Sequence, residues 1–214
     1  MLIAAMVLGL GSLGYAFVIG AIDVSWLTQF SGEAAPPFQR AVLYEAGQFG
    51  RTDKAVVGKA VWRTRTEPSG SSGKPDTVVT LDAEIPEQHI ALALSISRAD
   101  AGGGMSHLIE MRFARPEELP FGGIARIANV IMKGTETEAG EPLVGNSIGI
   151  APGQFMFGLL AVPDVAQKNM QRLRSQKWLV IALAFANGAA YTLDIEKGAS
   201  GDRAINDALA KWGQ

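Results

Sequence analysis

Apolar and polar residues alternate with a period of two along much of this 214-residue chain. Large apolar residues occupy every second position from Ile90 to Ile96, and one face of Met105–Phe113 carries Met, His, Ile, Met and Phe. Successive side chains of a strand point to opposite faces of a sheet, so this alternation predicts half-buried β-strands. Similar runs predict strands at residues 40–45, 55–66, 77–85, 90–96, 105–113, 124–132, 147–150, 154–160, 179–185 and 191–195.

Turn-forming residues separate these apolar runs. Residues 68–75 read PSGSSGKP and predict a flexible loop between two strands. Asn187-Gly188 lies between two apolar runs and predicts a β-hairpin with a type I′ turn, because both central residues of that turn need a positive φ. The pattern as a whole predicts a mainly β fold, either β-sandwich-like or α+β, with two short helices.

Both predicted helices lie in the last quarter of the chain. The first is expected to begin at Pro163, whose fixed φ suits the first turn of a helix, and to end near Ser175. The second is expected to begin with Asp202 as its N-cap and to end at Gly213. Its apolar residues recur at helical spacing and predict a face that packs on the sheet: Ile205, Ala208, Leu209 and Trp212.

The N-terminal segment Met1–Ile22 contains no charged residue. A helix of this length spans about 30 Å at ~1.5 Å per residue, which matches the hydrocarbon core of a bilayer. We therefore predict a transmembrane anchor at residues 1–25, a tether at 26–37 and a single β-rich globular domain at 38–214. A cleaved signal peptide is the alternative, although the segment has no basic n-region and its apolar core is long.

The predicted anchor also gives an expected location. A single N-terminal anchor leaves the rest of the chain outside the cytoplasm by default, so we expect a single-pass inner-membrane protein with its domain on the periplasmic side. Arg40 is the first basic residue, so the positive-inside rule supplies no independent signal of orientation.

Charge and composition argue against several classes of function. The formal net charge of −2 argues against a nucleic-acid-binding protein, which needs a basic surface. The chain has no cysteine, so it has no disulfide, thiolate nucleophile or zinc–thiolate site, and its two histidines offer little for a metal. Glu136, Glu138 and Glu141 lack the spacing of an EF-hand and predict a solvated acidic loop. Neither a metal nor a cofactor is expected.

Four cations within ten residues form the most suggestive surface of the predicted domain. They are Lys168, Arg172, Arg174 and Lys177, and no acidic residue lies among them. One interpretation is a docking surface for an acidic partner protein or for anionic lipid headgroups beside the anchor. The other is structural, because cations near the C-terminus of a helix interact favourably with its dipole.

His107 is the candidate for catalysis. An envelope hydrolase would combine it with Ser106, or with Asp100 or Glu110. Neighbouring residues of a strand point to opposite faces, however, so a direct hydrogen bond between Ser106 and His107 is not expected. The structural interpretation is a histidine at the edge of the core whose ring nitrogens are hydrogen-bonded.

The second half of the chain contains Leu119–Ile124 (LPFGGI) and Gly140–Leu143 (GEPL), followed by a helical segment, the strand–turn–strand through Asn187-Gly188, and a closing Gly198 and Ala208-Leu209. These features carry a resemblance to the invasion-associated locus B family of small exported bacterial β-rich proteins. It implies an exported, β-sandwich-like domain without an established catalytic site. Family members usually carry cysteines in the region matched to 147–157, and this chain has none.

Three functions remain as hypotheses from the sequence. The leading one is a non-enzymatic, membrane-tethered domain that binds a partner or serves as an accessory subunit of an envelope complex, since a tether raises the effective concentration of the domain near other envelope proteins. The first alternative is an envelope hydrolase that uses His107. The second is a sensor domain that binds a small ligand.

Overall fold

Eleven β-strands and two α-helices make up the computed structural model of this protein, which describes residues 38–46, 55–69, 73–100 and 102–213. The predicted anchor (1–25) and tether (26–37) lie outside the described residues. The strands are β1 (Gln39–Glu45), β2 (Val56–Ser69), β3 (Lys74–Ile85), β4 (Ile90–Arg98), β5 (Met105–Phe113), β6 (Ile124–Lys133), β7 (Glu141–Pro142), β8 (Gly145–Ala151), β9 (Gln154–Leu160), β10 (Trp178–Phe185) and β11 (Ala190–Glu196). The helices are α1 (Pro163–Ser175) and α2 (Gly198–Trp212). Neither they nor any other helix in the described part is long and apolar enough to span a bilayer.

All eleven strands belong to one antiparallel sheet. Their order is β7–β6–β10–β11–β1–β2–β3–β4–β5–β9–β8. The sheet curls, so that β6 and β8 approach each other although they lie near opposite ends of this order. The predicted mainly β class with two helices is therefore confirmed, but the strands build one curled sheet and not the two stacked sheets of a sandwich.

One face of the sheet, the apolar face of α2, and Met170 and Leu173 of α1 form the hydrophobic core. The burial pattern of β4 alternates strictly, as its sequence predicted. The helix α2 packs against β2 and β3, where Trp212 Nε1 donates a hydrogen bond to Thr77 O (2.9 Å). Gly201 permits this approach, because a Cβ at that position would lie 3.1 Å from the ring of Trp62. Each large apolar side chain buried in this way contributes roughly 1.5–3 kcal/mol to stability.

The predicted strand bounds agree closely with the structure, and the main error concerns residues 68–75. The strands β2 and β3 extend into this predicted flexible loop, up to Ser69 and from Lys74. Pro68 lies opposite Pro75 and Ser69 opposite Lys74. The strands β5 and β9 begin and end at the predicted residues.

The hairpin of β10 and β11 is confirmed, but its predicted type I′ turn is wrong. Gly188 has a φ of 88°, whereas Asn187 is not among the residues with a positive φ. Gly188 N donates to Phe185 O (3.0 Å), and Phe185 N donates to Ala189 O (2.9 Å). This is the three-residue hairpin loop in which a type I turn is followed by a left-handed glycine.

The start of α2 also differs from its prediction. The helix begins at Gly198, one turn before Asp202, so Asp202 is not its N-cap. Lys197, which precedes the helix and is fully buried, donates from Nζ to Leu173 O and to Gln176 O, both at 2.7 Å. These carbonyls at the end of α1 have no partner within their own helix, so Lys197 replaces the missing hydrogen bonds.

Asp202 completes this junction between the two helices. Its carboxylate lies 3.0 Å from Lys197 Nζ and 2.7 Å from Lys177 Nζ. Burial alone would raise the pKa of Asp202, but the hydrogen bonds from Lys177 and Lys197 outweigh burial and lower that pKa. The sequence placed Asp202 at the correct helix but gave no sign of its long-range partners.

The substitution Lys197→Met is expected to lower the free energy of unfolding by about 3 kcal/mol, because it leaves the carbonyls of Leu173 and Gln176 without this donor and removes the buried cation beside Asp202. The control Lys177→Met removes the exposed partner of the same carboxylate and is expected to cost at most about 1 kcal/mol. Urea denaturation of both variants measures the difference. Equal losses in the two variants would contradict the assigned role of Lys197.

Candidate functional site

The two edges of the sheet come from one short stretch of chain. First, β7 pairs with the C-terminal end of β6, where Pro142 lies opposite Ile131. Leu143 N then donates to Val130 O (2.8 Å). From Gly145 onward the chain leaves β6 and pairs with β9. The curled sheet is therefore closed at one end of β6 and open at the other.

We call the gap between residues 124–129 of β6 and residues 145–151 of β8 the seam. Within the described ranges, β8 pairs only with β9. In the same ranges, the strand β7 pairs only with the C-terminal end of β6. The seam forms a groove of about 540 Å³, a volume in the range of ligand-binding pockets. Its lining consists of Arg126, Ile127, Ala128, Asn129, Pro142, Leu143, Val144, Gly145, Asn146, Ser147, Gly149 and Phe157.

Two β-bulges shape the β6 side of the seam. The register of β6 against β10 shifts twice, which leaves Ala125 and Ala128 without an opposite residue. Each bulge adds one residue, so core-facing residues recur every third position instead of every second: Ile124, Ile127 and Val130. Bulges also bend a strand and increase its twist, and they are frequent beside functional sites.

Asn169 of α1 holds the point where the chain leaves β6. Its side chain is fully buried and makes two hydrogen bonds of 2.9 Å, one from Val144 N to Oδ1 and one from Nδ2 to Val144 O. Gly145, which follows Val144, must be glycine, because a Cβ at this position would lie 2.4 Å from Gly158 O. We did not identify Asn169 from the sequence, where its only signal is a polar residue beside Met170 on the buried face of a helix.

The β8 side of the seam is an uncharged strand edge. Val144 O accepts a hydrogen bond from Leu160 N (3.2 Å) of the β9 side. The direction of backbone groups alternates along a strand, so the N–H and C=O groups of Ser147 and Gly149 point toward the seam. Free edges are normally protected by charges or proline, yet β8 reads GNSIGIA, and Ile148 is 49% exposed.

A polar cluster occupies the opposite face of the sheet, away from the core. The Glu136 carboxylate accepts hydrogen bonds from both Nη atoms of Arg40 (2.8 and 2.9 Å) and from the Tyr44 hydroxyl (2.6 Å). Burial would raise the pKa of Glu136, but the hydrogen bonds from Arg40 and Tyr44 outweigh it and lower that pKa. Burial and the bond to Glu136 raise the pKa of Tyr44.

A buried ion pair lies beside this cluster. Lys133 Nζ donates to Asp194 Oδ2 and to Glu136 O, and both side chains of the ion pair are at most 1% exposed. Burial raises the pKa of Asp194, and the hydrogen bond from Lys133 opposes that shift. Lys133 Nζ and Arg40 Cζ lie 5.8 and 5.7 Å from the ring centroid of Trp178. Each carboxylate here has a cation beside it, so the cluster fixes the β6–β7 connection.

Of the three glutamates predicted to form a solvated loop, Glu138 and Glu141 are exposed as predicted, whereas Glu136 is half-buried, and all three have partners within the chain. Glu136 belongs to the cluster just described. Glu138 Oε2 accepts hydrogen bonds from Gly134 N (3.0 Å) and Thr135 N (3.3 Å), and Glu141 pairs with Arg172 (2.8 Å). No group of three or more His, Asp or Glu side chains in the described part of the chain is arranged to hold a metal ion.

The structure places the four predicted cations on and just after α1. Lys168, Arg174 and Lys177 are exposed, whereas Arg172 is half-buried. Arg172 pairs with Glu141 and donates to Pro142 O (2.7 Å), and Lys177 pairs with Asp202. Two of the four charges are therefore balanced within the chain, so this surface is less positive than the sequence suggested. A role in binding an acidic partner or lipid headgroups stays a prediction.

His107 is buried, as predicted, but its ring nitrogens are not hydrogen-bonded. Among the described residues neither nitrogen has a partner, and the ring lies 4.8 Å from the ring of Trp212. Ser106 Oγ donates instead to Leu159 O (3.3 Å). Burial, together with the charge of Arg98, lowers the pKa of His107 to about 4, so the ring is neutral at pH 7. These residues do not form the nucleophile–base–acid arrangement of a hydrolase.

The lowered pKa of His107 predicts an acid-sensitive fold. The unfolded chain binds a proton near pH 6.5 and the folded chain only near pH 4, so stability falls as the pH drops between these values. The loss amounts to about 3 kcal/mol. In His107→Leu this part of the loss is expected to disappear, and stability at pH 7 is expected to stay equal or to rise, since two unpaired buried nitrogens are removed.

Urea denaturation at pH 7 and at pH 4 measures this effect. The matched control is His89→Asn, which changes the exposed histidine and suits its left-handed backbone (φ 53°). The control is expected to keep the pH dependence of the wild type. A His107→Leu variant with the same pH dependence as the wild type would show that the assignment is wrong.

Comparison with protein-family models, with curated proteins and with solved structures finds no match to this chain. The resemblance to the invasion-associated locus B family stays a prediction, since none of these comparisons bears on it. The function proposed below therefore rests on the residues that line the seam.

Proposed function

We propose that residues 38–214 form a non-enzymatic binding domain that takes up an extended segment of a partner protein in the seam. The observation that carries this proposal is the pair of strand edges on either side of the groove, at 124–129 and 145–151, which have no further strand partner in the described residues. A strand added to the β8 edge would satisfy the backbone groups of that edge that point into the groove, and this mode of recognition is known as β-strand addition.

The chemistry of the groove supports an extended peptide as its occupant. The lining is apolar toward the core, at Ile127, Leu143 and Phe157, and polar at the mouth, at Asn129 and Asn146. Side chains of a bound strand would alternate between these two environments, because successive residues of a strand face opposite sides. Backbone pairing would provide affinity, and the side-chain environments would provide selectivity.

The hydrolase alternative has less support. Its central residue, His107, is enclosed beside Trp212, and no described serine or carboxylate reaches its ring nitrogens. The sensor alternative shares the groove, whose volume also suits a small molecule. A small molecule would bind without pairing to the backbone groups of the strand edge, whereas an added strand would pair with them. A substitution that removes such a backbone group therefore distinguishes the sensor from the peptide-binding domain.

The membrane location is part of the proposal. Residues 1–25 would anchor the chain in the inner membrane and leave the binding domain in the periplasm, beside other envelope proteins. Tethering would hold the seam at a high effective concentration near such partners. The basis for this part is the uncharged segment Met1–Ile22.

Selection from a displayed library of random ten-residue peptides on the immobilised full-length protein tests the proposed binding. We expect enriched peptides whose affinity falls at least tenfold in Gly149→Trp, because the new ring would fill the groove. Glycine is not needed for the fold at this position, since an added Cβ would approach only the Phe155 ring, at 3.9 Å. The control Ile148→Trp adds the same ring to an exposed position outside the groove lining and is expected to keep the affinity.

A second variant of β8 tests the mode of binding. Ser147→Pro removes an N–H group that points toward the seam and leaves the hydrogen bonds to β9 in place. Strand addition predicts a loss of at least tenfold in peptide affinity, measured by fluorescence anisotropy. If the library yields no peptide that is sensitive to Gly149→Trp or Ser147→Pro, the seam is not a peptide-binding site.

Labelling of an introduced thiol tests the location. Because the chain has no cysteine, the exposed Lys211→Cys provides a unique thiol on the domain. A periplasmic domain predicts that a membrane-impermeant maleimide labels this thiol in cells with a permeabilised outer membrane and an intact inner membrane. Labelling only after lysis of the inner membrane would place the domain in the cytoplasm.

A further inference from the structure

Arg126 is the one charged residue in the described lining of the seam. The other lining residues are Ile, Ala, Asn, Pro, Leu, Val, Gly, Ser and Phe. The Arg126 side chain is exposed on β6, opposite Ala184 of β10. The groove therefore combines a neutral surface with a single positive charge.

Arg126 differs from most arginines of this domain because it has no carboxylate partner among the described residues. Its neighbours on β6 are Ala125 and Ile127, and the strand contains no acid. The arginines that do pair with a carboxylate of the chain are Arg40, Arg63, Arg65, Arg98, Arg115 and Arg172. Arg112 and Arg203 also have no carboxylate partner in the described residues, but of these three arginines only Arg126 lines the groove.

The register of the sheet places this charge beside the path of an inserted strand. Ile131 pairs with Pro142 and Met132 with Glu141, and Arg126 lies further along the same strand, beyond the bulge at Ala128, where it lines the groove together with Asn146 and Ser147. Within the described residues no ladder joins β6 to β8 at this level, and the backbone groups of Ser147 point toward β6. A strand inserted there would pass directly beside the guanidinium.

We infer that the seam selects a peptide that carries an aspartate or glutamate next to Arg126. The inference rests on the proposed function and deepens it by naming the chemistry of the partner. A guanidinium presents several donors in a planar fork that matches a carboxylate in geometry as well as in charge. No other charge lines the described groove to compete for that carboxylate.

Strand geometry also sets what should flank the acidic residue. Arg126 is exposed at the mouth of the groove, whereas the adjacent Ile127 is buried in the core. A bound strand would place alternate residues on these two sides. The preferred segment therefore carries an acidic residue directly beside an apolar one, with the apolar side chain directed toward Leu143 and Phe157.

The experiment compares peptides selected by three full-length proteins from the same random ten-residue library. The wild-type pool is expected to be enriched in Asp and Glu, and replacement of the enriched acid by Gln or Lys is expected to weaken binding about tenfold. Arg126→Glu is expected to select Lys and Arg instead. Arg203→Glu makes the same charge change on the exposed face of α2, away from the seam, and is expected to select the wild-type pool.

The outcomes separate this inference from the proposed function. If wild type and Arg126→Glu select pools with the same charge composition, while both pools lose binding to Gly149→Trp, peptide binding stands and the acidic preference is overturned. If Arg203→Glu shifts the pool as much as Arg126→Glu does, net charge and not Arg126 sets the preference, which also overturns the inference. If no variant selects a peptide that is sensitive to Gly149→Trp, the proposed function itself fails.

Discussion

Backbone hydrogen bonding at the ends of the curled sheet is the constraint on which the rest of this structure depends. A sheet that curls far enough brings its two edges together, and each edge presents N–H and C=O groups that need partners. Here residues 141–151 serve both edges, first as β7 against β6 and then as β8 against β9. Asn169 supplies hydrogen bonds at Val144, where neither strand does so completely. The seam is the part of the two edges that neither β7 nor β8 pairs across in the described residues.

Local patterns predicted most of the fold. Period-two alternation located the long strands, because burial of one face imposes that pattern on the residues themselves. The strand Glu141–Pro142 was not predicted, because it is too short to show a period. The strand β6 was predicted, but its two bulges were not, because they space its buried residues by three. The start of α2 was misplaced because Lys197 anchors that end from a distance, whereas an N-cap is a local signal.

The candidate sites were harder to predict, because a charged residue acquires its role from partners far along the chain. Arg172 and Lys177 looked like a free positive surface in the sequence, and each pairs with an acid at least 25 residues away. Arg126 showed the reverse, since nothing in its sequence context marks it as unpaired. His107 was correctly expected to be buried, but its ring contact with Trp212 and the lack of a hydrogen-bond partner among the described residues had no local signal in the sequence.

The bulge at Ala128 determines that the Arg126 side chain points to solvent. Val130 faces the core, and in a regular strand every second residue before it, including position 126, would also face inward. A guanidinium at that position would then sit among apolar side chains at a prohibitive desolvation cost. The extra residue reverses the alternation, so that Ile127 enters the interior and Arg126 faces water. A single inserted alanine thus converts what would be a folding defect into a charge available at the rim.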